Sequence, residues 1–241
     1  MAEPGLGGAR LKIGTKRDKR LSWDEYSANW AALHLGVDPR QSSVFVGSWL
    51  RLAYLAGRTM AALRVRPGTV TLAGIILSFA APVAAVFRGP WLFAAAALVL
   101  LSAIADSADG AVAVMTSRTS RIGAFDDAVA DRLSEAAWLL ALWLVGANGF
   151  AVAACGALAW LHEYARARSV VAGMTGIGLI TVAERPTRVI AVVLALTFGG
   201  VAWIINPHLT PGVVTTVIAI WAVLGLIGTT RLITAIRAAL R

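Results

Sequence analysis

The sequence predicts an all-α integral membrane protein: a bundle of six transmembrane helices preceded by an amphipathic juxtamembrane helix. Three observations predict it. Hydrophobic residues make up 58% of the 241-residue chain and charged residues only 15%, outside the usual range of soluble domains. Apolar runs of about 20 residues, the length that crosses a hydrocarbon core, recur along the chain. Lys and Arg also alternate between the turns. The turns after the first, third and fifth apolar runs hold Arg88 alone, whereas those after the second and fourth hold Arg118, Arg121, Arg166, Arg168 and Arg185. With Arg231, Arg237 and Arg241 at the C-terminus, the positive-inside rule places both termini in the cytoplasm, in a multi-pass protein of the plasma membrane.

Residues 1–22, with Lys12, Lys16, Arg17, Lys19 and Arg20, read as a basic tail without an apolar stretch, and the N-terminus is expected to remain cytoplasmic. Residues 23–40 carry Trp23, Tyr26, Trp30 and His34 and predict an interfacial turn or short helix. In residues 44–63, Trp49, Leu52, Leu55 and Leu63 alternate with Arg51 and Arg58, the pattern of a helix lying along the membrane surface. The six spans are then expected at about 69–87, 91–115, 123–146, 150–172, 187–205 and 213–236. Arg88-Gly89-Pro90, Thr116 to Ile122, Ala147-Asn148-Gly149, a 173–186 loop and Asn206 to Gly212 separate them. The domain division is a basic cytoplasmic segment, 1–43, and one membrane domain, 44–241.

The net charge of +9 points to lipid rather than nucleic acid. Half of the 22 Lys and Arg precede the first long apolar run, beside segments that touch an anionic leaflet. The single cysteine, Cys155, sits in an apolar run and reads as a small buried side chain.

Asp106, Asp109, Asp126, Asp127 and Asp131 fall within 26 residues of the most apolar half of the chain. A carboxylate at the bilayer centre costs roughly 2.5–3.5 kcal/mol on insertion scales, so several together demand a partner. A divalent cation bound by oxygen ligands is the simplest one. The three-residue spacing of Asp106 and Asp109 and the four-residue spacing of Asp127 and Asp131 put each pair on one helical face. The short link between the second and third spans makes them antiparallel neighbours, which brings both pairs to the same end. Gly110, Ala113 and Gly123 supply small residues where a helix or a phosphate approaches closely. Asp126 lies about 100° from Asp127 and reads as solvated or helix-capping. Arg132 and Glu135 read as an internal ion pair, and His162 and Glu163 as polar boundary residues.

The run Asp106-x2-Asp109-Gly110-x2-Ala113-x9-Gly123-x3-Asp127-x3-Asp131 resembles the signature of the CDP-alcohol phosphotransferase family, matching seven of its eight positions with every spacing kept. The eighth, an arginine after the motif alanine, is Val114 here; Arg118, one turn on, is expected to reach back over the same face. The resemblance implies transfer of a phosphatidyl group from a CDP-linked donor to an alcohol, with release of CMP. It implies two Mg2+ or Mn2+ ions bridged by Asp106, Asp109 and Asp127, with Asp131 completing the site as the general base, kept ionised by the adjacent metals. It places Gly110, Ala113, Arg118 and Gly123 on the donor. Pro67-Gly68-Thr69-Val70-Thr71 is similar to the family's Pro-x-x-x-Thr entry and adds Thr71; from its residues alone it is a helix start with a hydroxyl cap.

Tyr164, Arg166, Arg168, Arg185 and Arg188 frame one cytoplasmic loop, and guanidinium forks suit phosphate oxygens. The local sequences around Arg166 and Arg185 are similar to those of family members whose acceptor is a polyol phosphate. Arg121, Arg166, Arg168, Arg185 and Arg188 are therefore the expected acceptor contacts. The expected reaction joins the phosphatidyl group of CDP-diacylglycerol to glycerol 3-phosphate or inositol phosphate. A non-phosphorylated alcohol is the alternative within the family, and a cation transporter using the intramembrane aspartates the alternative outside it. The resemblance also implies a homodimer.

Overall fold

A computed structural model describes residues 21–33, 38, 40, 44–174 and 181–241. The basic tail up to Arg20, His34, and Gly176 and Gly178 of the 173–186 loop lie outside the described residues. Among the described residues there are eight α-helices, one 3-10 turn and no strand. The helices are α1 (Trp23–Leu33), α2 (Val44–Ala62), α3 (Pro67–Val86), α4 (Trp91–Met115), α5 (Arg121–Val145), α6 (Gly149–Val171), α7 (Arg185–Ile205) and α8 (Thr210–Ala239). Helices α3 to α8 coincide with the six expected spans to within a few residues. Among the described residues, four helical segments, Pro67–Val86, Trp91–Met115, Arg185–Ile205 and Pro207–Ala239, are long and apolar enough to cross a membrane. Helices α5 and α6 are as long, but the charges at Asp127, Asp131, Arg132 and Glu135 on one, and at Glu163, Arg166 and Arg168 on the other, lower their apolarity.

The helix ends follow from local chemistry. Pro67 fits the first turn of α3, where its missing N–H costs nothing. No side chain caps that helix, however: the Thr71 hydroxyl is used elsewhere, so the expected hydroxyl cap is corrected. Ser120 caps α5 by accepting the Gly123 N–H at 3.0 Å, which leaves Asp126 exposed rather than capping. Gly146 ends α5 at φ 110°, a left-handed conformation that glycine adopts without a Cβ clash.

Helix α3 packs against α4 and α5, α2 lies on α4, and α7 joins α4 to α8. The main core gathers Ala81 and Ala85 with Leu92, Val99, Trp138, Leu142, Leu196 and Ile218, all close to fully buried. Many of its members are alanines, which let helix backbones approach closely. At Gly57 of α2 a Cβ would stand 2.6 Å from the Ala111 Cβ, so glycine is what permits α2 to lie flat on α4. Leu72, Ile76, Phe79 and Val83 form an exposed stripe down α3, an apolar face of the kind lipid covers. Cys155 is buried as expected, its thiol 3.3 Å from the Ile218 carbonyl oxygen.

Candidate metal centre and its cavity

The link from α4 to α5 turns tightly. Ser117 adopts φ 52°, and the Arg118 N–H returns to the Ala113 carbonyl at 2.9 Å. The two helices therefore bring their acids together at one end. Carboxylate oxygens of Asp106, Asp127 and Asp131 all lie within 4.8 Å of one another. Asp109, 5% exposed, is on the same helix as Asp106 and accepts a hydrogen bond from the Thr71 hydroxyl of α3. The Arg185 guanidinium at the start of α7 pairs with both Asp106 and Asp131, and lies 6.0 Å from the Trp138 ring centroid. An arginine thus supplies positive charge at the point where three carboxylates converge. An all-oxygen set of this kind fits a hard divalent cation such as Mg2+ or Mn2+.

A cavity of about 660 Å3 opens beside the acids, between α3, α4 and α5. All five residues expected on the donor line it: Thr71, Gly110, Ala113, Arg118 and Gly123. A Cβ on Gly110 would meet no atom within 4 Å, so this glycine leaves room in the cavity rather than serving helix contact. Asp109, Asp126, Asp127 and Val114 also border the space.

The five expected acceptor arginines are not gathered at one point. Arg185 is at the acids. Arg166 is half-buried and bound to Glu184 at 2.5 Å, while Arg121 and Arg168 are exposed. Arg188 is 1% exposed and its guanidinium is spent within the protein, on the Ala183 carbonyl at 2.9 Å, Glu135 at 2.5 Å and Glu163 at 2.7 Å. Arg132 joins the same network, 3.3 Å from Glu135, which is the ion pair expected from the sequence.

His162 is not a boundary residue. It is fully buried, with Thr181 at 3.4 Å, Thr229 and Arg166 at 3.5 Å and Glu184 at 3.7 Å. Glu163 is half-buried and tied to Arg188. The four-residue spacing of His162 and Arg166 was the available sequence signal, but their partner Glu184 lies across a loop. Burial alone would raise the Glu184 carboxyl; the His162 ring, the Thr181 backbone N–H and the Arg166 charge outweigh it and hold the group at about 2. Glu184 is thereby a fixed anion that orients Arg166 and begins α7, placing Arg185 next in sequence.

The chain is thus a helical protein with apolar helices long enough to cross a membrane and a cluster of three carboxylates, suited to a divalent cation, beside a cavity. The CDP-alcohol phosphatidyltransferase family matches residues 64–240, and the chain belongs to it. It is a transferase of phospholipid biosynthesis, not the cation transporter kept as an alternative above. Similar curated proteins include an archaetidylinositol phosphate synthase of Pyrococcus horikoshii, 31% identical over 146 residues, which are 60% of this chain and 76% of that protein. Another, from Aeropyrum pernix, is 34% identical over 124 residues, 48% of this chain and 64% of that protein. Two solved structures of Mycobacterium tuberculosis phosphatidylinositol phosphate synthase, one with CDP-DAG bound and one with manganese and citrate, each give a TM-score of 0.59 at 25% identity. They cover 77% of this chain, and 94% and 88% of their own.

Proposed function

We propose that the protein transfers the phosphatidyl group of CDP-diacylglycerol to a hydroxyl of inositol phosphate and releases CMP. The site would face the cytoplasm, at one end of a six-span bundle. The observation that carries this reading is the position of Arg185, which joins Asp106, a residue of the cavity wall, to Asp131 and is not itself among the residues that line the cavity. Donor and acceptor would thus meet across the carboxylates.

Asp106, Asp109, Asp127 and Asp131 would hold two divalent ions. When bound, these supply positive charge that neutralises the diphosphate and stabilises departing CMP. Thr71, Gly110, Ala113, Arg118 and Gly123 hold the donor in the cavity. Arg185 binds the acceptor phosphate by charge-assisted hydrogen bonds, and the exposed Arg168 and Arg121, with the Glu184-held Arg166, add positive charge to its approach. The acceptor hydroxyl then lies beside Asp131, which takes its proton as the oxygen attacks the phosphorus bearing the lipid. The new P–O bond forms as the bond to the CMP oxygen breaks. Arg188 serves this side by holding α7 against α5 and α6. Both curated relatives are named as archaetidylinositol phosphate synthases, which supports inositol phosphate as the acceptor.

Mass spectrometry of the lipid product tests the reading, using purified protein, CDP-diacylglycerol and Mn2+ with inositol phosphate, glycerol 3-phosphate, free inositol or serine. The expected product is phosphatidylinositol phosphate. Product with glycerol 3-phosphate alone, or only with a non-phosphorylated alcohol, would reject the acceptor assignment.

A further inference from the structure

Helix α1 precedes the residues that match the family, yet it forms part of the cavity wall. Its start is fixed by a reciprocal cap: Ser22 N–H donates to Glu25 Oε2 at 2.9 Å and Glu25 N–H to Ser22 Oγ at 3.2 Å. From there Trp23 and Tyr26 pack with Tyr54 of α2, at ring-centroid separations of 5.3, 5.4 and 5.9 Å. The Tyr54 hydroxyl donates to the Leu21 carbonyl at 3.0 Å, closing the cluster from the other side. Tyr26 is 1% exposed and rests with Tyr54 against Ala111 of α4, and Val114 and Trp30 pack on the same cluster. Trp30 follows Tyr26 by four residues on one face of α1, is half-buried, and borders the cavity with Tyr26 and Val114.

Val114 is where the family signature carries an arginine, and here that position meets aromatic rings instead. Its height along α4 decides which part of a ligand reaches it. It lies five residues beyond Asp109, or about 7–8 Å along the axis at about 1.5 Å per residue. A nucleoside diphosphate with its phosphates at the aspartates carries its ribose past Gly110 and Ala113. Laid along α4 in that direction, it brings its base to the level of Val114, which packs on the same cluster as Trp30.

We infer that Trp30, set on the Tyr26–Val114 platform, is a stacking contact that holds the pyrimidine ring of the donor. The inference rests on the donor reading above and adds to the site a residue from outside the family-matching region. Every base offers a π-face, and an indole beside it contributes through stacking and apolar contact. Tyr26 and Val114 add apolar surface to the same wall.

Calorimetric titration of the full chain in detergent at fixed free Mn2+ tests it, with CMP and pyrophosphate as separate ligands. Pyrophosphate reaches the acids but has no base. Trp30→Ala is expected to weaken CMP about tenfold while leaving pyrophosphate within about twofold, and Trp30→Phe to keep most of the CMP affinity. Should the alanine variant not fold, Trp30→Leu keeps apolar volume without an aromatic ring and is expected to show the same selective loss. Unchanged CMP affinity, or equal losses for both ligands, would overturn the inference and leave α1 a packing element. Wild-type protein that binds pyrophosphate and not CMP would overturn the donor reading as well, so the two failures are distinguishable.

Discussion

Replacing Arg188 by Met removes the one fully buried guanidinium that links α5, α6 and α7 among the described residues. Its partner Glu135 is also 1% exposed, and without Arg188 keeps only Arg132 at 3.3 Å. Breaking a buried pair by deleting one partner typically costs about 3–5 kcal/mol, because the remaining charge is stranded. Glu163, about a third exposed, can turn to solvent and adds little to that loss. For a chain of this size the cost corresponds to a melting-temperature drop of roughly 6–20 °C. The assay is thermal unfolding in detergent, followed by loss of the monodisperse gel-filtration peak. The double variant Arg188→Met/Glu135→Leu is expected to recover much of the loss, since it leaves no stranded charge. A drop below about 2 °C for the single variant, or a double variant no better than the single, would refute the pairing argument. A stable Arg188→Met protein with only its acceptor KM raised would instead make Arg188 a direct acceptor contact.

Further predictions concern the loop that carries Arg185. A Cβ at Gly228 would stand 2.5 Å from the Ala183 Cβ and 2.9 Å from its backbone nitrogen. Gly228→Val is therefore expected to displace the segment before α7 and to raise the acceptor KM severalfold, with the donor KM unchanged in steady-state kinetics. Glu184 has its carboxyl lowered from 4.5 to about 2, so its stabilising contribution is complete above pH 4.5 and is lost as pH falls towards 2. At roughly 1.4 kcal/mol per unit, reduced for its partial exposure, that contribution is on the order of 2 kcal/mol. Glu184→Gln is expected to flatten the pH dependence of the melting temperature between pH 4.5 and 3; a profile parallel to the wild type would refute the assignment.

The helices were legible because apolar run length and turn residues are local signals. The α4 boundaries Trp91 and Met115 and the link from Thr116 onward follow from them directly. The acids were legible because carboxylates in an apolar helix are costly, and their spacing alone puts Asp127 and Asp131 on one face. Asp109 shows the limit: its spacing from Asp106 matches the motif, yet its hydrogen-bond partner Thr71 lies on α3, 38 residues away, where no local spacing reveals it. Arg185 and Arg188 show another. They lie within one turn of the same helix, but one reaches the aspartates and the other is buried against Glu135, 53 residues away in sequence. No periodicity separates two such arginines, because the difference lies in which neighbouring helix each one meets. The same reason hid His162, whose partners come from three elements, and the cavity wall formed by α1.

If the aspartates at the end of α4 and the start of α5 drive phosphatidyl transfer with a divalent cation, CMP release depends on both the metal and Asp131. Purified wild-type and Asp131→Asn proteins would be compared with CDP-diacylglycerol and inositol phosphate across a Mn2+ titration, and again after chelation. Release by the wild type is expected to depend on the metal, to be abolished by chelation and to fall at least about a hundredfold in the variant. Release that survives chelation, or an Asp131→Asn protein as active as the wild type, would contradict it.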